Sequence, residues 1–407
     1  MRLIDPDDGP GARARDDFGI TWVRMRIGQI GKACATLAAG AMMPSRCAFE
    51  KVQRRMTEPV MSDANARREL VAELAALNCR VAQPDDPPVF TRTPCSTMRP
   101  CHWRATDLAR MFDRIGANLQ LEAGGQRRTI RLTNPGLPYG TTPTFWASLQ
   151  VILPGEVATA HRHSPAALRF IMKGGGANTI VAGERYEFSE GDLVLTPSGA
   201  WHDHEHRGTE PMVWLDVLDI SLVRALHATF FEPSDTPRRP VNAIPDRSLR
   251  NYGSGLLRPQ GARPAGLASP LLVYSRTRAE DAVLQACTLE PDPYDDVAME
   301  YQNPLTGEPA LPTLGTALQL LRPSFHGRSH RHTGSVVYYV IRGSGTTVMD
   351  DQRCDWGPGD FLALPPWAVH SHINSSASVS ALLFQVNDFP VLAKLDLYRE
   401  EAVRGGV

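Results

Sequence analysis

Apolar and polar residues alternate over short runs, broken by glycine and proline, from about residue 135 to 220 and again from about 315 to 390. A period of two sends successive side chains to opposite faces of a strand, and short strands separated by turn residues predict a barrel or sandwich in each stretch. Helical periodicity is confined to three places. In "MSDANARRELVAELAAL", Ser62 or Asp63 is positioned to cap a helix whose Leu70, Val71, Leu74 and Leu77 share one face. The segments "ATDLARMF" and "SLVRALHATFF" predict one helix ahead of the first strand-rich block and one closing it. Residues 233–270, rich in Pro, Arg and Gly, read as a connection that wraps the surface. Residues 1–61 carry no sustained apolar period. They are expected to be a disordered extension or the product of an upstream start site, with Met61 as the alternative start.

The two strand-rich blocks are copies of one another. "LPGEVATAHRHSPAALRFIMKGGG" aligns with "RPSFHGRSHRHTGSVVYYVIRGSG" at an offset of 169, pairing His161 with His330 and His163 with His332. After one deletion, "EGDLVLTPSGAWHDH" aligns with "PGDFLALPPWAVHSH", pairing His202 with His370 and His204 with His372. An internal repeat of this size predicts two barrels of the same design. The expected division is an N-terminal barrel domain at 62–232, a connecting segment at 233–314 and a C-terminal barrel domain at 315–407.

Bulk composition narrows the function classes. Of 407 residues, 42% are hydrophobic, enough for two real cores, and 43 basic against 44 acidic residues leave a net charge of -1. No strong field favours nucleic acid or an anionic membrane. Seven scattered cysteines without a CxxC pair argue against a disulfide framework and for a reducing cytoplasm. The apolar run "ACATLAAGAMM" is too short to span a bilayer.

Candidate chemistry gathers on the histidines, since ten of the twelve fall within or beside the repeated clusters. His161 and His163 project to one side of a strand, and a barrel returns the chain so that His202 can join them. Three imidazoles on one ion make a neutral site with open positions, suited either to ferrous oxygen chemistry or to a hydrolytic zinc. Counting by twos from His163 brings Arg169 to the same face. There it meets a substrate carboxylate bidentately or forms a salt bridge to Asp216 or Glu184. Trp146, Ser148 and Gln150 share a face of the preceding strand and suit a flat aromatic acid, or are simply core. His204, oriented by Asp216, can serve as acid or base, unless both face solvent at strand ends. The second copy keeps His330, His332 and His370 as a second candidate metal site, but has Tyr338 in place of Arg169 and Phe384 in place of Asp216. That predicts a structural or accessory barrel.

Gly155, His161, His163 and Gly175 or Gly176, followed by Gly191, Pro197, Gly199 and His202, resemble the two motifs of the cupin family. The glutamate that cupins usually add after the second histidine is missing, since Ala167 and Leu168 stand there. More narrowly, "HRHSPAALRF", "GDLVLTPSGAWHDH", "WLDVLDI", "MEYQNP" and "HRHTGSVVYYVIRGSG" resemble the gentisate 1,2-dioxygenase family, which includes salicylate and 1-hydroxy-2-naphthoate dioxygenases, over residues 62 to 390. The resemblance implies a mainly β bicupin of two jelly-roll barrels with a few flanking helices, often a homotetramer, using Fe(II). It makes His161, His163 and His202 the iron ligands. Arg169 and either Arg127 or Arg128 become the grip on a carboxylate, and Trp146, Gln150, His204 and Asp216 become pocket residues. Pro165 departs from the glutamine that many members have there.

The implied reaction takes a small aromatic hydroxy acid (gentisate, salicylate or a substituted salicylate such as 5-nitrosalicylate) and O2, and opens the ring between the carboxyl-bearing and hydroxyl-bearing carbons. Alternatives are a 1-hydroxy-2-naphthoate dioxygenase, a non-catalytic bicupin that binds an aromatic acid, and a zinc or manganese hydrolase or isomerase. Barrels of this kind host many functions.

Overall fold

The computed structural model describes residues 64–83, 85–118 and 128–403. The expected N-terminal extension, the capping residues Ser62 and Asp63, and Arg127 all lie outside them. The described residues fall into two units, one at residues 64–91 and the other at residues 92–403. In the smaller, the expected helix forms over Ala64–Ala76, but none of its residues is buried. Its apolar stripe therefore covers no core among the described residues.

The larger unit is mainly β and contains both barrels. Each is a six-stranded sheet facing a five-stranded one. In the first barrel the larger sheet runs, by hydrogen-bonded neighbours, Val273–Tyr274, Leu193–Thr196, Ala167–Lys173, Met212–Leu218, Trp146–Ile152 and Arg128–Leu132. The smaller runs Phe231–Pro233, Val157–His163, His202–His206, Ala177–Val181 and Glu184–Glu187. The second barrel repeats the plan, with Val336–Arg342, Ala381–Asn387 and Gly315–Leu321 central in one sheet and His330–His332 between His370–Ile373 and Glu400–Ala402 in the other. The Gly-Asp turns of both copies use a glycine at positive φ, Gly191 at 85° and Gly359 at 86°, where a Cβ would be strained.

Alternation along the strands separates two interiors. Leu168 and Phe170 point away from Arg169, as Leu215 and Val217 point away from Asp216, and these apolar residues join Phe361, Phe384 and Val386 of the second barrel in one shared core. The Phe170 and Phe384 rings stack there with centroids 4.1 Å apart. Burying an aromatic of this size contributes about 1.5–3 kcal/mol. The contact is reciprocal at its edges: Thr144 Oγ1 donates to Asp388 Oδ2 at 2.6 Å, and Thr313 Oγ1 donates to Asp219 Oδ2 at 2.6 Å. Both residues of the second pair lie 169 positions after, or before, their counterparts in the first. The interface is thus self-complementary, as between two copies related by a two-fold axis.

Segments also cross between the barrels. The strand Cys101–Trp103 pairs with Phe361–Ala363 and covers an edge of the second barrel, although it precedes the first in the chain. Asp360 holds this junction, accepting from Ala105 N at 2.7 Å at the start of the helix Ala105–Asn118 and meeting His102 Nε2 at 2.8 Å. The connecting segment contributes Val273–Tyr274 to the first barrel and Val297–Glu300 to the second. It also holds the helices Arg247–Tyr252 and Arg276–Ala286. The segment read as the helix "SLVRALHATFF" is helical only over Ile220–Ala225. His227 takes a positive φ of 55°, and Phe231–Pro233 continues as a strand against Val157–His163. Among the described residues no helix is long and apolar enough to cross a membrane.

Candidate metal centre

His161 and His163 end the strand Val157–His163, and His202 opens the strand beside it, directly opposite His161. A register shift between Ala158 and His161 bends the strand just before the histidines. The three rings converge, with centroids 4.3, 4.9 and 5.6 Å apart. Each Nδ1 faces a backbone carbonyl: Thr159 O at 2.8 Å for His161, Pro165 O at 2.7 Å for His163 and Ala200 O at 3.0 Å for His202. A proton held on Nδ1 leaves the Nε2 lone pair for a metal, the usual orienting device around bound ions. The donor atoms lie within 4.8 Å of one another. His202 Nε2 is buried without a hydrogen-bond partner, which the chemistry of a metal ligand explains. Burial holds the His202 pKa well below the usual imidazole value, with Arg169, His161 and His163 adding to the effect. The ring is therefore neutral at physiological pH, as a ligand must be. The residues present fit a divalent transition metal.

A cavity of about 280 Å³ opens on His161 and His163 of the triad and is also lined by Pro165, Arg169 and Asp216. Leu218, Phe230 and Phe231 form its apolar side. Arg169 is 1% exposed; its Nη1 donates to Thr196 Oγ1 at 2.7 Å, and its Nε lies 3.4 Å from Asp216 Oδ1. Neither Arg169 Nε nor Asp216 Oδ1 makes a hydrogen bond. Burial lowers the Arg169 pKa and the Asp216 charge counters it. A cation at the wall of a small cavity, facing one carboxylate loosely, retains capacity for a second anion.

Arg169 reaches the cavity wall, but not by alternation along one strand with His163. A turn at Ser164 and Pro165 separates His163 from Arg169, which lies on the opposite sheet of the same barrel. Of the two salt-bridge partners considered, Asp216 is the one observed. Glu184 instead accepts from Ser248 N at 2.7 Å. Asp216, offered to His204 by the sequence, thus faces Arg169, while His204 is buried with its ring 5.8 Å from His202 and 5.7 Å from Trp214.

Trp146, Ser148 and Gln150 share the barrel-facing side, opposite Leu218, Asp216 and Trp214. Trp146 and Gln150 do not line the cavity. Trp146 packs instead against Tyr139 at 4.4 Å and beneath the Arg131 guanidinium at 4.6 Å. Arg128 lies on the other face and is tied to Glu156 at 2.5 Å, so it does not reach the cavity.

Three residues escaped the sequence reading: Phe230 and Phe231, hidden in the helical pattern of their segment, and Arg131. The signal for Phe231 lay in the repeat, because "RH" with "FE" at 162–163 and 231–232 matches "RH" with "EE" at 331–332 and 400–401. In both copies the arginine pairs with the glutamate, Arg162 with Glu232 at 2.6 Å and Arg331 with Glu401 at 2.9 Å. The second triad also converges, with ring centroids 4.1, 4.8 and 5.9 Å apart. Tyr338 stands opposite Gln385 as Arg169 stands opposite Asp216. The counterpart of Asp216 is therefore Gln385 and not Phe384, which belongs to the core between barrels. The deletion that shifts the alignment is made good in the loop before that strand.

The cupin domain family model matches residues 148–218 and 317–386, the central part of each barrel. A 5-aminosalicylate 1,2-dioxygenase from Comamonas sp. is 38% identical over 83% of this chain and 92% of its own length. The gentisate 1,2-dioxygenase 1 of Aquipseudomonas alcaligenes is 37% identical over 77% of this chain and 89% of its own. The crystal structure of salicylate 1,2-dioxygenase from Pseudoaminobacter salicylatoxidans with gentisate superposes with a TM-score of 0.78 at 28% identity, covering 86% of this chain and 97% of that one.

Proposed function

The chain belongs to the gentisate and salicylate 1,2-dioxygenase family of cupin enzymes, and on that premise we propose that it opens the ring of a single-ring ortho-hydroxybenzoate with O2, using Fe(II) in the first barrel. The observation that carries this reading is one small cavity with His161, His163, the buried Arg169 and Pro165 on its walls. The chemistry an iron supplies there is open coordination for a chelating hydroxy acid and for O2, with one-electron exchange between them.

The protein's own part is binding and orientation. Arg169 receives the substrate carboxylate, its charge already directed by Thr196 and only partly neutralised by Asp216. Leu218, Phe230 and Phe231 exclude water and flank the ring. His204, beside His202, is the group we assign to proton transfer at the substrate hydroxyl. Trp146 and Gln150 flank Ser148 on the same interior face, beside the strand that carries Asp216. At about 280 Å³ the cavity is smaller than the roughly 300–1,000 Å³ of drug-sized sites, which favours one ring over a naphthoate. The catalytic unit is the N-terminal domain at 62–232, amended by the strands that cross over. Homotetramer assembly and a cytoplasmic setting belong to the same reading.

The test is oxygen uptake by protein reconstituted anaerobically with Fe(II), across gentisate, salicylate, 5-aminosalicylate, 5-nitrosalicylate and 1-hydroxy-2-naphthoate. Stoichiometric uptake with a single-ring acid and appearance of a ring-opened product support the reading. No uptake across the panel with iron bound would leave an aromatic-acid binding protein.

A further inference from the structure

The second triad faces different chemistry from the first. His332 and His370 are oriented as in the first barrel, Nδ1 against Gly334 O at 2.9 Å and against Ala368 O at 3.1 Å. His370 Nε2 is buried without a hydrogen-bond partner, and the residue is 1% exposed. Where the first barrel offers a guanidinium, the second has Tyr338, whose hydroxyl lies 3.3 Å from His372 Nε2. Two carboxylates take up the remaining space.

Asp295 directs Oδ2 to 3.8 Å from His330 Nε2, while its Oδ1 accepts from Gln319 Nε2 at 3.1 Å. Gln319 is the repeat counterpart of Gln150, so a pocket residue of the first barrel has become the holder of an acid in the second. Glu400 stands across from His332 in the closing strand, where the first barrel has Phe231 across from His163.

We propose that the second barrel holds a resident divalent cation on His330, His332 and His370, whose donor atoms lie within 4.8 Å of one another, with the Asp295 and Glu400 carboxylates supplying negative charge beside it. Three neutral imidazoles leave the charge of a divalent ion uncompensated, and the two carboxylates balance it. Asp295 acts on the ion from beside His330, as an outer partner that raises its affinity. Imidazole donors with nearby carboxylates suit iron, manganese or zinc. An aromatic carboxylate is repelled from this mouth, so the ion is structural. Its charge draws the turn before Val297–Glu300, through Asp295, and the closing strand Glu400–Ala402, through Glu400, toward the barrel wall.

The experiment counts ions and does not depend on ring cleavage. The full chain, stripped with chelator, is titrated anaerobically with Mn(II); free ion is read by electron paramagnetic resonance and bound ion by elemental analysis. The wild type should bind two per chain, and His161→Ala/His163→Ala should retain one. Adding Asp295→Asn to that variant should weaken the remaining site at least about tenfold. The reciprocal His370→Ala should bind one ion and, if the ring-cleaving reading holds, keep oxygen uptake. A first-site variant that folds and binds none, a His370→Ala count still at two, or an unchanged Kd in the Asp295→Asn protein would each overturn the proposal.

Discussion

At positions 169 apart, the first barrel has Arg169, Asp216 and Phe231 where the second has Tyr338, Gln385 and Glu400. His332 and His370 keep the carbonyl partners of His163 and His202, whereas His330 Nδ1 is buried without the partner that Thr159 O gives His161. The flanking residues decide the ligand: one mouth presents a buried cation and apolar rings, and the other presents acids. A three-histidine site is thus a neutral chassis, and two or three neighbours set whether it takes an organic anion or is completed by the protein itself.

The comparison can be broken in graded steps. His202→Ala should remove the first-site ion and reduce oxygen uptake to background, while leaving the second site's ion bound; retained activity would move the chemistry to the second barrel. Phe384→Ala, in the core both barrels share, should cost about 3–5 kcal/mol in denaturant unfolding. Because the residue serves both barrels, a single cooperative transition should shift as a whole. Arg169→Lys keeps the charge but loses the planar fork, so KM for the carboxylate substrate should rise about tenfold or more, with kcat changed less. An unchanged KM would remove Arg169 from the clamp.

The effect confined to one pH range lies at Asp219, whose repeat counterpart Asp388 accepts from Ser335 N, Ser335 Oγ and Thr144 Oγ1. Asp219 accepts from Thr313 Oγ1, but its Oδ1 is buried without a partner, and burial pushes its carboxyl up to about 6. A folded-state pKa above the unfolded value of roughly 4 means that stability falls as pH rises from about 4 through about 6. Asp219→Asn should therefore gain up to about 2 kcal/mol at pH 7 and nothing near pH 4, measured by unfolding at both.

The sequence displayed both triads because ligands on a strand alternate with period two and the repeat printed them twice. It also displayed the fold class, through short strands between turn residues. What it hid were pairings set by distant partners. No local pattern marks Cys101–Trp103 as a strand of the second barrel. Phe231 sat in a stretch whose periodicity was helical until His227 turned the chain. Arg128 looked like a free cation near the carboxylate grip, yet the pleat sends it to the far face, where Glu156 claims it. Alignment alone put Phe384 opposite the wrong neighbour, because a one-residue shift exchanges the two faces of a strand.

The crossing strand also sets a timetable for synthesis. His102 meets Asp360 across 258 residues of chain. At roughly 5–20 residues per second, ribosomes deliver the partner about 10–50 s after the strand itself. The first barrel can close during that interval, but Cys101–Trp103 must wait as an unpaired edge until the second barrel arrives. A messenger truncated between the barrels would leave that edge open permanently, and a chaperone or a neighbouring nascent chain would be its available partner.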